Sequence, residues 1–207
     1  MYNNTTINGG IIHYNSLESI LNFLKENPIW LSGFAAGEGC FTGYLSLEEK
    51  ALWGLQPGLD FNITQSSDDR LLLNAINIYF KNIGGVYDKP NNISVMAIRN
   101  VKALEKVIIP FFLKYPLVGT KSYQFERWKN LLYIYYNKKH MIKNMEGKNY
   151  VISFAEICKE LNVRKNSNNK KVKKMNIIIN WLKSLKSIPT CEDKLDLYKL
   201  IEKSRVS

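Results

Sequence analysis

The sequence predicts an α+β fold, and three observations carry that expectation. Helical spacing of apolar residues gives way to a period of two directly after Glu38. Two pairs of alternating segments then follow, each pair closed by a stretch of helical spacing. Beyond about residue 140 the alternation stops, and only helical spacing and charge runs remain. The implied order from Pro28 to about Asn137 is αββαββα, a complete α+β domain with a small helical C-terminal extension.

Each element has its own signal. Residues 1–15 are polar and glycine-containing, the composition of a loose arm. Leu17, Ile20, Leu21 and Leu24 follow Ser16 at helical spacing. Asn27-Pro28 starts the next helix: Asn is a good N-cap, and Pro at the first helical position gives up an N–H that no carbonyl needs. Gly39 ends it. Phe41, Leu45 and Leu47 then alternate with Thr42, Tyr44 and Ser46. After a loop over Gly54–Gly58, Leu59, Phe61 and Ile63 alternate with Asp60, Asn62 and Thr64. Residues 68–81 return to helical spacing with acids in the first turn. Segments 86–89 and 93–99 flank the turn signal Lys89-Pro90-Asn91-Asn92 and predict a hairpin. Residues 101–115 and 121–137 predict two further helices, the first interrupted by Pro110. Helices over 154–161 and 175–185, joined by a basic linker over 164–174, and a short one over 193–203 complete the chain. The expected division is an arm and short helix over 1–27, a core domain over 28–140 and a basic extension over 141–207.

Bulk composition limits the function classes. The chain has 207 residues, 45% apolar and 12% aromatic, enough for a real core. A formal charge of +11 favours polyanionic partners, nucleic acid first and an anionic membrane surface second. Cys40, Cys158 and Cys191 are widely separated and form no CxxC pair, and His13 and His140 are the only histidines, which argues against a zinc site or a disulfide framework. No apolar run approaches the length of a membrane span, so no membrane partner is expected. Heavy use of Asn, Ile, Lys, Tyr and Phe, all with A/T-rich codons, hints at an organellar genome.

The most informative stretch is NPIWLSGFAAGEGCF, residues 27–41. Gly33, Ala36 and Gly37 lie at i, i+3 and i+4, so one helix face is made of very small side chains. A single acid, Glu38, stands at the exit. That arrangement serves a helix that approaches another backbone closely and delivers a carboxylate to a shared point.

LSGFAAGEG at 31–39 resembles the signature of the LAGLIDADG homing endonucleases, and GEGCF running into a strand resembles their organellar branch. FNITQSSDDRLLL resembles the family's second strand and following helix, and IIPFFLKYPLVGTKSYQFERW its late segment. The resemblance implies a site-specific DNA endonuclease that hydrolyses phosphodiester bonds with Mg²⁺ or another divalent cation. One signature per chain implies a homodimer on a long pseudo-palindromic site, with Gly33, Ala36 and Gly37 at the dimer interface. Glu38 and the Gly37 carbonyl would hold the metal. Gln65 would position solvent, with a water-facing strand end as the plain alternative. Lys121 would stabilise charge on the phosphate, with Lys114 as its rival. The strand faces carrying Thr42, Tyr44, Ser46, Asp60, Asn62, Thr64, Asn92 and Ser94 would read the DNA major groove. Two positions depart from the family pattern: Ala36 stands where an acid is common, and Asp68 and Asp69 where some members carry a base. An RNA-binding intron-splicing factor, or maturase, on the same fold is the alternative, and half of a two-domain enzyme a third. The implied location is the mitochondrion, with the chloroplast as alternative.

Overall fold

A computed structural model of the chain describes residues 16–162 and 169–206. The order is α1 (Leu17–Glu26), α2 (Pro28–Glu38), β1 (Gly39–Leu47), β2 (Leu55–Ser66), a 3₁₀ turn (Ser67–Asp69), α3 (Arg70–Tyr79), β3 (Gly85–Lys89) and β4 (Ile93–Ile98). Then come α4 (Val101–Ala103), a π turn (Leu104–Ile108), α5 (Ile109–Lys114), α6 (Thr120–Tyr136), a 3₁₀ turn (Lys139–Met141), α7 (Met145–Asn162), α8 (Lys170–Ser184) and α9 (Cys191–Val206). The α+β class and the αββαββα core order agree with the sequence reading. The expected arm over residues 1–15 lies outside the described residues.

The chain divides into two compact units that are not consecutive in sequence: Met1–Cys40 with Phe61–Gly119, and Phe41–Asp60 with Thr120–Ser207. Strand β2 runs through both. In the hydrogen-bonded order β1-β2-β4-β3, its first half accompanies β1 and its second half pairs antiparallel with β4.

In the first unit, α1 begins where Ser16 Oγ accepts from the Ser19 amide at 3.2 Å. Asn27 holds the N-cap position of α2 as expected, its carbonyl accepting from the Trp30 amide at 3.0 Å, but its side chain does not cap α2. Its side-chain amide instead donates to Phe23 O at 3.0 Å, closing α1, and Pro28 takes the first helical position. The core is aromatic: Phe61 lies edge-on to Phe80 and Phe112, with ring centroids 6.4 and 5.4 Å apart, and Phe80 edge-on to Phe111 at 5.2 Å. Pro110 follows the π turn instead of breaking a continuous helix. The wider turn absorbs the missing N–H within one local segment.

In the second unit, β1 alternates as expected, with Phe41, Gly43 and Leu45 buried and Tyr44 and Ser46 exposed. Phe41, Phe125 and Trp128 form its aromatic centre. A Cβ on Gly43 would strike Leu131 and come within 2.8 Å of Cys158 Sγ, so only glycine admits α6 and α7 at that approach. Residues 55–58, expected as loop, continue β2 instead. Pro57 is tolerated because this half of the strand does not pair with β4. At Gly58 the Tyr44 ring lies where a Cβ would be, so the missing side chain lets that ring rest on the strand.

The expected basic linker over 164–174 is corrected in part. Residues from Lys170 onward are helical, since Asn169 Oδ1 accepts from the Lys171 amide at 2.9 Å and Val172 and Met175 are buried one turn apart. Residues 164–168 lie outside the described residues. No helix among the described residues is long and apolar enough to cross a membrane.

Candidate functional site

Helix α2 holds the small-residue face. Its buried side carries Leu31, Ser32 and Ala35. Ser32 is 2% exposed and donates its hydroxyl proton to Tyr115 O at 2.8 Å, tying α2 to the segment after α5. Among the described residues the opposite side is open: Gly33 and Gly37 are exposed, and a Cβ on either would meet no described atom within 4 Å. Ile29 on the same stripe is 74% exposed, and Ala36 is half-buried. Glu38 is the last residue of α2 and is exposed. At the next residue, a Cβ on Gly39 would sit 2.5 Å from Ala35 O, so a glycine is needed to turn the chain from helix to strand there.

Gln65 lies half-buried near the end of β2 and pairs with Ser94 of β4. The register sorts the two faces of the sheet in this unit. Phe61, Ile63 and Gln65 share a face with Ile98, Met96 and Ser94, which is the core face. Asn62 and Thr64 share the other face with Ala97, Val95 and, from β3, Tyr87. Thr64 is exposed and Asn62 half-buried there, as expected for outward polar residues.

Ser94 is a correction. It is 0% exposed and its hydroxyl donates to Asp88 Oδ1 at 2.6 Å, because the register puts it on the core face. Asp88 also pairs with Arg70. The Ser94 hydroxyl, and then the Arg70 guanidinium, hold its carboxyl below the usual carboxylate range. Asn92 sits in the β3–β4 turn, where Asn91 and Asn92 both adopt the left-handed region at φ 67° and 55°. Its side-chain amide donates to Ser66 Oγ at 3.3 Å.

In the second unit Tyr44 and Ser46 are exposed on β1, and Thr42 and Asp60 are half-buried. Ser46 donates across the hairpin to Gln56 O at 3.1 Å. Lys121 is half-buried as the second residue of α6, which follows Gly119 at φ 64°. Gly119→Ala finds free space but must adopt a left-handed backbone. It should lower stability by about 1–2 kcal/mol, read as a Tm drop of several degrees. An unchanged Tm would show that the turn before Lys121 relaxes at no cost. Glu38, Gly37 and Gln65 thus belong to the first unit and Lys121 to the second.

Three outward residues escaped sequence reading. Arg99 Nη2 donates to Tyr87 Oη at 3.0 Å, with the guanidinium 5.7 Å from the ring centroid, and Lys89 Nζ lies 5.9 Å from the same ring. Alternation along Gly85–Lys89 puts Tyr87 and Lys89 on one face, and that was the available signal.

No disulfide joins Cys40, Cys158 and Cys191. Burial raises the Cys158 thiol far above its ordinary range, so it stays protonated. Among the described residues no three His, Cys, Asp or Glu side chains gather as a metal cluster.

Comparison with known proteins matches these features in order. The LAGLIDADG endonuclease family profile aligns with residues 31–132. The Neurospora crassa protein named "Probable intron-encoded endonuclease 3" is 29% identical over 126 residues, which is 60% of this chain and 23% of that protein. The chain spans between 23% and 37% of the lengths of three such intron-encoded relatives. The crystal structure of the homing endonuclease I-TnaI superposes with a TM-score of 0.64 at 28% identity, covering 73% of this chain and 97% of that one. The I-LtrWI homing endonuclease, solved bound to its target DNA, superposes with a TM-score of 0.59 at 30% identity over 67% of this chain and 44% of that one. The small face of α2 from Gly33 to the acid at its end, the strand it feeds and the segment through Lys121 all fall inside the matched region, and the chain belongs to the LAGLIDADG endonuclease family.

Proposed function

We propose that this chain is a site-specific DNA endonuclease that works as a homodimer. The observation that carries the reading is the open face of α2: exposed Gly33 and Gly37 with none of the described residues against them, and Glu38 exposed at the end. Two such helices from two copies could approach closely and bring two Glu38 carboxylates together. The match over 97% of the I-TnaI homing endonuclease chain supports the nuclease reading. A second signature domain in a longer protein is the other source of a second acid. Names of intron-encoded relatives and the A/T-rich codon usage support an organellar, mitochondrial setting.

The donor set fits a divalent cation as half a site. Glu38 and the Gly37 carbonyl are hard oxygen donors, and Mg²⁺ takes few protein ligands and keeps several waters. When bound, such an ion supplies Lewis-acid stabilisation of the scissile phosphate. The chain's own residues do the rest. Gln65 orients the attacking water, and the Lys121 ammonium offsets charge developing on the phosphate oxygens. Thr42, Tyr44, Ser46, Asp60, Asn62 and Thr64 would present donors and acceptors to base edges, and Asn92, Lys89 and Arg99 would add contacts of their own from the first unit.

One observation is compatible with a second reading, RNA binding by an intron-splicing factor. The first unit carries 8 lysines and arginines against 7 acids, the second 21 against 11. The positive charge thus lies mostly outside the unit that holds Glu38, where it would add salt-dependent backbone affinity for either nucleic acid.

The test is selection of a cleavable duplex from a randomised DNA library with Mg²⁺, alongside the mass in solution. Wild type should cleave and elute as a dimer. Gly33→Leu should elute as a folded monomer, because the added side chain meets no described atom of its own chain, should lose the concentration dependence of the wild-type Tm, and should not cleave. Retention of intron RNA with no cleavage of any duplex would overturn the nuclease reading, and an active monomer would overturn the homodimer.

A further inference from the structure

The role of α8 and α9 is open in the family resemblance, and the second unit supplies a specific answer. The loop between β1 and β2 is closed on itself: the Glu48 amide donates to Gly54 O at 3.0 Å, and the Gly54 amide to Ala51 O at 2.9 Å. Three side chains of the C-terminal helices reach the backbone of this hairpin. Lys174 of α8 donates to Leu45 O at 2.7 Å, Lys194 of α9 to Glu49 O at 2.9 Å, and Tyr198 of α9 to Gly54 O at 3.2 Å. The donors take carbonyls at both ends of the loop and within it.

Lys194, Leu197, Tyr198 and Ile201 lie at i, i+3, i+4 and i+7, so both polar contacts from α9 come from one face of it. Leu197 is 0% and Ile201 1% exposed, which anchors that face and fixes where the two polar tips point. Gly54 sits at φ 68°, and a Cβ there would lie 2.9 Å from Lys194 Cγ, so the lysine stem covers the turn as well as bonding to it. Burial, and then the nearby Glu49 and Glu48 carboxylates, raise the Tyr198 phenol, which keeps it a proton donor at neutral pH.

We propose that α8 and α9 brace the β1–β2 hairpin, and that Lys174, Lys194 and Tyr198 are positioning residues which set base discrimination without contacting DNA. The inference rests on the reading that the outward face of β1, with Tyr44 and Ser46, meets DNA. A hairpin held at both ends of its loop presents those side chains in one register. A loosened hairpin presents several, and several registers accept several base sequences. The gain of the brace is therefore in discrimination, and only secondarily in affinity.

The test uses the full chain with Tyr198→Phe, which removes one hydroxyl, and Lys194→Met, which keeps the stem over Gly54, separately and together. Amide hydrogen exchange without DNA should quicken about fivefold or more across residues 45–54 in the double variant, with exchange in α6 unchanged. Relative cleavage of single-base-pair variants of the selected site should flatten at the positions beneath Tyr44 and Ser46, and hold at positions beneath Asn62 and Thr64. Unchanged exchange in the loop would overturn the brace whatever the DNA result. Faster exchange with an unchanged discrimination profile would overturn its role in recognition. A uniform loss at all positions with a shallower salt dependence in Lys194→Met would overturn it too, since that is the signature of a direct phosphate contact. Failure of wild type to select any duplex would sink the DNA reading and the recognition role with it, and leave the exchange result to judge the contact alone.

Discussion

Glu38→Gln should leave the fold and DNA binding intact and reduce cleavage by about 10³-fold or more. The residue is exposed and glutamine is nearly isosteric, so no packing is lost. The local helix gains from the change. Glu38 stands at the C-terminal end of α2, where the macrodipole is negative, and the last turn carries no basic residue to offset it. A carboxylate there costs up to about 1 kcal/mol, and the neutral amide removes that cost. Stability should therefore hold or rise by a few degrees in Tm while activity collapses. That opposite movement separates a functional acid from a structural one. If cleavage persists within about tenfold of wild type, Glu38 is not the metal ligand. If the Tm falls sharply, it holds a structural contact instead.

The same tension is what marks Glu38 as a candidate in the sequence. An acid in a place that local physics disfavours, beside glycines that gain nothing on a surface helix, is a conflict that folding alone does not produce. Other residues carried no such mark. Ser94 reads as one polar step in an alternating strand, but residues 94–98 are all buried, and a strand covered on both faces loses the alternation that would tell in from out. Only the pairing of Gln65 and Asp88 with Ser94 fixes its side of the sheet. Asn27 carries a good N-cap identity, yet its side chain turns back to Phe23 O, a choice between two neighbouring helix ends that propensity does not decide. Lys170–Lys174 reads as linker because charge dominates its composition, while burial of Val172 and Met175 makes it helix. The bonds from Lys174, Lys194 and Tyr198 to the β1–β2 hairpin span more than a hundred residues of sequence, and nothing local announces them.

Trp128→Ala should be the most damaging single change to the second unit, at about 3–5 kcal/mol. The side chain is 0% exposed and lies 5.2 Å from Phe41 and 6.4 Å from Phe125 between ring centroids. Its Nε1 donates to Thr42 O at 3.2 Å, so the loss includes a hydrogen bond as well as apolar contact. Trp128→Phe separates the two: it keeps an aromatic ring against Phe41 and drops the N–H, and should cost roughly half as much. Urea unfolding of both variants measures this, and a loss below about 1 kcal/mol for Trp128→Ala would mean the cavity collapses freely. The bond to Thr42 gives the result a functional side. Thr42 precedes Tyr44 and Ser46 on the same strand, and α6 fixes that strand from beneath through Trp128 while α8 and α9 fix its far end. Trp128→Phe should therefore remain folded and cleave, yet discriminate less sharply at base pairs beneath β1. The strand that reads would then depend on support at both ends, and its base preferences would be set as much by buried contacts as by the exposed side chains themselves.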